Sequence, residues 1–209
     1  MVYGVSGNAA SGCKTGRAAT PAEGPIHQAK ATALPAIRVV DTQITVPRDL
    51  QVSEANTYYP MGDIVWRGAP YGDRHAQMDA LLHDSMSLAL RGHAGSQPAV
   101  VEITLRRFHA MTEKTRYSVG GVHSIRFDLT LRDPATEQAL LPTRTIRADL
   151  KGYGGDRALA AERAGLTQKV RVTYHLANTL RAELERPGSM GGNRGVTLLV
   201  AGLESAAPI

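Results

Sequence analysis

The sequence predicts an α+β protein: a two-layer sandwich in which a mostly antiparallel sheet packs against two helices on one face, in the order β-α-β-β-β-α. Two stretches repeat apolar residues every three or four positions, as amphipathic helices do. Between them, apolar and polar residues alternate without a break from Ile125 to Arg132, which is typical of a strand with one face toward water. Since each predicted helix has a single apolar stripe, both should pack on the same side of the sheet.

The composition is that of an ordinary globular chain. Its 209 residues are 43% hydrophobic and 21% charged, with a formal net charge of +5, and they suffice for one domain and a tail. The positive charge is scattered, and no basic run of about five residues or more indicates a nucleic-acid-binding arm. No run of about 18 apolar residues predicts a membrane span. The single cysteine excludes an internal disulfide and a cysteine-based zinc site.

Residues 1–34 are rich in Gly, Ala, Ser, Thr and Pro and are predicted to form a flexible tether. Residues 35–203 should form a single α+β domain. That domain should begin with a short strand at 35–41, followed by an irregular stretch at 42–70. The apolar run at 196–203 has the length of a strand and predicts a last strand or a docked tail.

The first helix should run from Asp73, a favourable N-cap residue, to about Arg91, with Gly92 just beyond its end. The second should end at Pro187. The two apolar stripes comprise Met78, Leu81, Leu82, Ser85, Leu88 and Ala89 in the first helix, and Leu166, Val170, Thr173, Ala177, Leu180 and Leu184 in the second.

Further strands are expected at 101–106 and 143–150, on either side of the alternating stretch already described. Asp, Pro and Thr at 133–138 predict the turn that precedes the last of them. Residues 158–164 are expected to form a separate short turn, because Gly165 weakens continuity with the second helix.

The segment GNAASGCKTG, residues 7–16, resembles two short motifs. A phosphate-binding loop has the pattern G-x-x-x-x-G-K-[ST], but here Cys13 stands between Gly12 and Lys14. Such a loop also requires a buried strand before it and a helix after it, because the helix N-terminus supplies the amides that hold phosphate. Neither element is predicted, so the phosphate-loop interpretation is disfavoured.

The residues Ala10-Ser11-Gly12-Cys13 also resemble the lipobox of bacterial lipoproteins, whose cysteine becomes the lipidated first residue of the mature chain. A small-residue segment follows, as a membrane tether requires. The residues before it have neither the basic nor the apolar region of a signal peptide. Either the native start lies further upstream, in which case we expect lipidation of Cys13, or Cys13 is an unreactive cysteine.

No pattern predicts catalysis or metal binding. The seven histidines do not form a ligand-like pair, and His75 and His83 are expected on the solvated face of the first helix. The nucleophile motif G-x-S-x-G is absent. Glu102, Asp128 and Asp149 should lie on the polar faces of strands. We therefore expect a non-enzymatic protein with no catalytic residue, no metal site and no cofactor.

Partner contacts are expected in the segment 112–123, which mixes basic and aromatic residues around a glycine pair. It is either a long hairpin with a glycine bulge or a protruding loop that contacts a partner or anionic head groups. Tyr58–Tyr59 and Trp66–Arg67 are either core residues or partner anchors. The candidate contact residues are Trp66, Arg67, Lys114, Arg116, Tyr117, Gly120, Gly121 and His123.

The stretch DIVWRGAP at 63–70, which leads into the first helix, and DPATEQAL at 133–140, in the hairpin, add to the Cys13 tether and the element order. Together they resemble small uncharacterised lipoproteins of Gram-negative envelopes. More distantly they resemble auxiliary lipoproteins of ABC-type lipid transport systems, the paraquat-inducible and MCE-associated ones. The similarity covers about residues 35–186. It implies a periplasmic domain with an N-terminal lipid anchor, held at the outer membrane, that contacts other envelope components and has no catalytic residues.

Two functions follow as expectations. The first is a non-enzymatic envelope lipoprotein, an accessory or assembly factor that binds protein or lipid at a membrane. The alternative is a soluble basic binding module for RNA or another polyanion, acting through the outer face of the sheet that bears Arg126, Asp128, Thr130 and Arg132. A nucleic-acid partner is the less expected of the two, and a steep loss of affinity with salt would mark it.

Overall fold

A computed structural model describes residues 34–189 of the chain. Six strands form an open mixed sheet and four helices accompany it, so the predicted α+β fold is confirmed. The elements are β1 (Ile37–Thr45), β2 (Ile64–Val65), α1 (Arg74–Leu90), β3 (Gln97–His109), α2 (Glu113–Arg116), β4 (Gly121–Arg132), β5 (Arg144–Arg147), β6 (Leu150–Gly152), α3 (Gly155–Arg163) and α4 (Gln168–Glu185).

Residues 1–33 and 190–209 lie outside the described part. The predicted tether, the Cys13 site and the apolar run at 196–203 fall there. Within residues 34–189, no helix combines the length and the apolar character needed to cross a membrane.

The sheet has the order β1-β3-β4-β5, with β2 also paired to β3 and β6 to β4. β4 runs antiparallel to β3, β5 and β6, whereas β1 and β2 are parallel to β3. The parallel β1–β3 pair arises because α1 lies between the two strands in the chain, as a crossover connection requires. The stretch predicted to be irregular, 42–70, contains the end of β1 and all of β2.

β3 and β4 are longer than predicted and pair from Val100↔Arg132 to His109↔Ser124. Alternation along both strands turns one face inward, where Ile103, Leu105 and Phe127 are almost fully buried. Helices α1 and α4 pack against each other and contact β1. The core lies between this helix layer and the inner face of the sheet.

The predicted ends of α1 are confirmed. The Asp73 carboxylate accepts a hydrogen bond from the backbone N–H of Ala76 at 3.0 Å, which satisfies one of the free amides of the first turn. Gly92 follows the helix with φ +66°, a conformation that glycine adopts at little cost.

The stripe predicted for α4 is partly wrong. The helix begins at Gln168 after the N-cap Thr167, so Leu166 precedes it, and Gln168 and Val172 occupy the buried positions of the first turns. A polar residue is buried further on as well, since Glu183 is 1% exposed and forms an ion pair with Arg144 at 2.7 Å. A search for apolar residues alone cannot find a buried face that contains Gln and Glu.

The return strand predicted at 143–150 is two strands, β5 and β6. Asp149 lies between them, and its carboxylate accepts a hydrogen bond from the backbone N–H of Ile125 at 3.1 Å. A side chain therefore replaces one backbone partner at the point where pairing with β4 changes from β5 to β6. The short turn predicted at 158–164 is the helix α3.

Two glycine-containing turns approach closely at the end of the sheet. Gly120 has φ +72°, and a Cβ added there would lie 2.9 Å from the backbone nitrogen of Gly154. A Cβ added to Gly154 would in turn overlap the backbone nitrogen of Gly120. Backbone cannot move away as a flexible side chain can, so neither position accepts a larger residue without a shift.

We expect Gly154→Ala to lower the free energy of unfolding by about 2 kcal/mol, since an added methyl group in a tight contact forces backbone displacement. Gly72→Ala is the matched control, because a Cβ there would meet only the end of the Gln77 side chain, 3.2 Å away. Urea unfolding of both variants measures the difference. Equal stability losses in the two variants would contradict the close approach.

Candidate functional site

A surface groove of about 180 Å³ lies at the end of the sheet where β3 ends and β4 begins. Its walls are formed mainly by residues 58–60, 109–112 and 119–122. The structure therefore brings the Tyr58–Tyr59 pair together with the segment predicted to contact a partner. We call this feature the end groove.

Large apolar side chains stand exposed in the groove wall and beside it. Tyr59 is 91% exposed, Val119 77% and Val122 57%, and Met61, next in the chain to the groove residue Pro60, is 87% exposed. Single exposed apolar residues are common on protein surfaces, but a group of them at one place marks a binding surface. The two most exposed large apolar side chains of the described residues, Tyr59 and Met61, thus lie in the end groove or next to it.

Polar contacts tie the segment 56–60 to the end of β3. His109 Nε2 donates to the carbonyl of Pro60 at 2.9 Å, and the Thr112 hydroxyl donates to the carbonyl of Thr57 at 2.8 Å. The backbone N–H of Lys114 donates to the Asn56 side-chain oxygen at 2.8 Å. Burial lowers the pKa of His109, so its ring is neutral near pH 7 and keeps its Nε2 proton for Pro60. These contacts hold the groove open without using its apolar side chains.

The segment 112–123 is not an extended hairpin, because Glu113–Arg116 forms the helix α2 with Thr112 as N-cap. Its end packs on α3, which the sequence did not reveal as a helix. Arg116 Nε lies 3.3 Å from a carboxylate oxygen of Glu162, and the Tyr117 hydroxyl donates to the other at 3.1 Å.

The eight candidate contact residues differ in their surroundings. Lys114, Tyr117 and Gly121 are exposed, and the Lys114 ammonium lies 4.8 Å from the centre of the Tyr58 ring. Gly120 and Gly121 form part of the groove wall, and Arg116 is largely covered beside Glu162. The remaining three, Trp66, Arg67 and His123, have structural surroundings that are described next.

Trp66 is a core residue and not a surface anchor. It is 1% exposed and meets Phe108 edge to face, with 5.5 Å between ring centres. The neighbouring Gly68 leaves room for the indole, since a Cβ there would overlap its ring. The sequence allowed Trp66 to be either a core residue or a partner anchor. Its burial shows that it is a core residue.

Arg67 belongs to a network of ion pairs that no sequence pattern indicated. Its Nε donates to both carboxylate oxygens of Glu113, at 3.0 and 2.8 Å, and its Nη1 donates to Glu54 at 3.1 Å. Glu54 also accepts from Arg74 at 2.6 Å, and this hydrogen bond lowers the pKa of the Glu54 carboxyl. Arg67 thus joins three segments that are distant in the chain, and its donors are turned toward them.

His123 lies at 0% exposure beside a small pocket of about 10 Å³, room for one water molecule. The backbone N–H of Met111 donates to its Nδ1 at 3.4 Å, so the ring proton is on Nε2. Within the described residues, His123 Nε2 and both amide atoms of Gln168 are buried without a hydrogen-bond partner, and Arg116 Nε has only its ion-pair contact with Glu162. All three residues line this pocket.

Burial, together with the nearby cations Arg171 and Arg116, lowers the pKa of His123 to about 3. The ring is therefore neutral at physiological pH and faces the interior. Because His123 is buried, its side chain cannot contact a partner at the surface of this structure. Among residues 34–189, no group of three His, Cys, Asp or Glu side chains could hold a metal ion.

The outer face of the sheet is polar, as predicted, and much of its charge is paired. Arg106 donates to Asp128 at 2.7 Å, and Asp128 also accepts from Thr145 at 2.6 Å. Arg132 forms an ion pair with Glu102. These cross-strand pairs account for Asp128 and Glu102 on the outer face.

We expect His123 to make the protein less stable as the pH falls from about 6.5. The unfolded chain binds a proton at this residue below that pH, whereas the folded chain does not until about pH 3. Between pH 7 and pH 5 this difference removes about 2 kcal/mol of the free energy of unfolding. His123→Asn, which keeps an acceptor for Met111, should lose about that much less stability over the same range.

Urea unfolding at the two pH values measures this loss. His83→Asn is the control, because His83 is about half exposed on α1 and should leave the loss unchanged. His109 and His175, whose pKa values are also lowered by burial, account for a residual loss in both variants. An identical pH dependence in His123→Asn and the wild type would contradict a buried, neutral His123.

Residues 37–198 match a protein family described as a family of unknown function, DUF6778. No curated protein matches the chain. Among solved structures, a candidate lipoprotein from Caulobacter crescentus CB15 is similar at 15% sequence identity and a TM-score of 0.32, over 51% of this chain and 80% of that one. A protein of Xanthomonas campestris from the family DUF330 is similar at 13% identity and a TM-score of 0.40, over 72% of this chain and 82% of that one. Because the family match covers well over half of the residues, the chain belongs to the family DUF6778.

Proposed function

We propose that this protein is a non-enzymatic accessory factor of the cell envelope that binds membrane lipid through its end groove. A lipid anchor on Cys13 would hold the domain at the outer membrane. The observation that supports lipid binding is the set of exposed apolar side chains at the groove: Tyr59, Met61, Val119 and Val122.

Apolar exposure of this kind has a cost that a lipid surface removes. Moving one large apolar side chain out of water is worth about 1.5–3 kcal/mol. Tyr59 adds an amphipathic ring, the side-chain type that is enriched where acyl chains meet head groups. Lys114, beside Tyr58, places a cation next to the apolar surface, as peripheral membrane-binding surfaces do. Together these features favour a bilayer surface over an aqueous ligand.

The anchor and its location rest on the sequence. Ala10-Ser11-Gly12-Cys13 resembles a lipobox, and the domain resembles small envelope lipoproteins and, more distantly, auxiliary lipoproteins of lipid transport systems. A role beside a transport system is the finer part of this proposal. Lipid binding at the end groove does not require the anchor or the transport role. We therefore expect the full chain without a covalent lipid to bind lipid as well.

The test uses the full chain with Cys13→Ser, so that no covalent lipid contributes to binding. We expect Tyr59→Ser combined with Val122→Ser to weaken binding to phosphatidylcholine vesicles at least about tenfold, since both apolar contacts are lost. Tyr71→Ser is the matched control, because Tyr71 is 85% exposed but lies before α1, outside the groove lining. Co-flotation with vesicles gives the partition coefficients.

Two results would overturn lipid binding at the groove. One is a chain that does not float with vesicles of any composition. The other is an equal loss of binding in the Tyr71→Ser control and in the groove variant. The thermal unfolding midpoint of each variant is also measured. A midpoint within a few degrees of the wild type shows that the comparison concerns binding and not folding.

A further inference from the structure

Three arginines lie side by side across the outer face of the sheet. Arg107 of β3 pairs with Arg126 of β4, and Arg126 pairs with Arg147 of β5. Side chains of directly paired residues share a face and start about 5 Å apart. Arg107, Arg126 and Arg147 therefore form one row, which we call the arginine row. Like charges at directly opposed positions are destabilising in a sheet, so the row requires a reason.

The bulge in β3 adds to this concentration of charge. The register shifts between Leu105 and Arg107, so that Arg106 and Arg107 together oppose Arg126. Arg106 is occupied by Asp128, which also accepts from Thr145. Asp149, between β5 and β6, accepts from the backbone N–H of Ile125. Asp128 and Asp149 thus each have a partner other than Arg107 and Arg126.

Arg126, in the middle of the row, has an unmet hydrogen-bonding capacity. Its Nε is buried and has no hydrogen-bond partner within the described residues. A buried donor without an acceptor costs about 1–3 kcal/mol, more when the group is charged. An anion bound at the row would reduce the repulsion among the guanidinium groups, and a small turn of the Arg126 side chain would bring its Nε to an anion oxygen.

The row and the end groove belong to the same face of β4. Val122 and Arg126 are four residues apart on that face, about 13 Å along the strand. Lys151 pairs with Val122 and adds a cation beside the groove. Peripheral surfaces bury their apolar side chains about 5–10 Å into the membrane boundary, which puts their cations among the head groups. The spacing fits a ligand with an apolar chain and a phosphate.

We propose that the arginine row binds the phosphate of an anionic phospholipid whose acyl region contacts the end groove. This inference rests on the proposed function and names the lipid class that the same surface selects. Guanidinium groups donate two parallel hydrogen bonds to phosphate oxygens, a geometry that a lysine ammonium does not reproduce. The apolar groove beside the row favours an amphiphile over RNA, whose phosphates have no acyl chain to place there.

The test compares vesicles of phosphatidylcholine alone with vesicles that contain about one third phosphatidylglycerol, using the full chain with Cys13→Ser. We expect the wild type to bind the anionic vesicles at least about tenfold more tightly. Arg126→Gln and, separately, Arg107→Gln should lose most of that preference and keep the binding to phosphatidylcholine. Arg91→Gln, at the end of α1 in the helix layer, removes the same charge elsewhere and should keep the preference.

The outcomes separate this inference from the proposed function. Groove-dependent binding without a phosphatidylglycerol preference would overturn the arginine row and leave lipid binding intact. The same preference in Arg126→Gln as in Arg91→Gln would also overturn it. Arg107→Gln is included because Arg126→Gln could lose the preference through a folding defect. The inference requires both variants to lose the phosphatidylglycerol preference.

Two other ligands give distinct results with the same proteins. Tight binding of a single-stranded RNA that depends on Arg126 but not on Tyr59 and Val122 would make the row a polyanion site and contradict the inference. Saturable binding of inorganic phosphate alone, undiminished by the groove variant and able to displace the chain from neutral vesicles, would contradict it as well. Competition by phosphatidylglycerol that requires both the row and the groove would support it.

Discussion

The antiparallel pairing of β3 with β4 is the interaction on which the rest of the structure depends. Its register, from Val100↔Arg132 to His109↔Ser124, decides which side chains of both strands face inward. Inward residues such as Leu105 and Phe127 build the core under α1 and α4. Outward residues form the polar face, and a shift by one residue would exchange the two sets. The same register aligns Arg107 with Arg126, so the core and the arginine row are consequences of one pairing.

The functional features gather where this pair of strands ends. There the chain leaves β3 at His109 and returns as β4 at Gly121, and α2 and the close approach of Gly120 to Gly154 fill the space between. Met111 lines both the end groove and the small pocket beside His123, so its side chain lies between the two. The close backbone contact of Gly120 with Gly154 fixes the end of β4, and the exposed apolar residues of the end groove lie next to it. This arrangement is that of a preformed binding surface.

Sequence patterns predicted the elements whose burial follows a simple period and missed those set by distant partners. The alternation of β4 and the caps of α1 were predictable because each depends on neighbours in the chain. Trp66 follows a strand of only two residues, too short to show a period, and His123 is itself polar, so nothing local showed that both are buried. Gln168 and Glu183 escaped because buried polar residues follow no hydrophobic period. The outer arginines of β4 were visible, but their alignment with Arg107 and Arg147 required the register and the bulge of β3.

The most direct test of the account is where a soluble phospholipid contacts the protein. Titration of the isotope-labelled full chain, carrying Cys13→Ser, with short-chain phosphatidylglycerol below its micelle concentration would show this by NMR. The account predicts shifts for the amides of Tyr59, Val119 and Val122, together with the Nε–H of Arg126, all saturating at the same lipid concentration. Shifts confined to α1 and α4, or groove shifts that leave Arg126 unchanged, would contradict a single surface that binds both parts of the lipid.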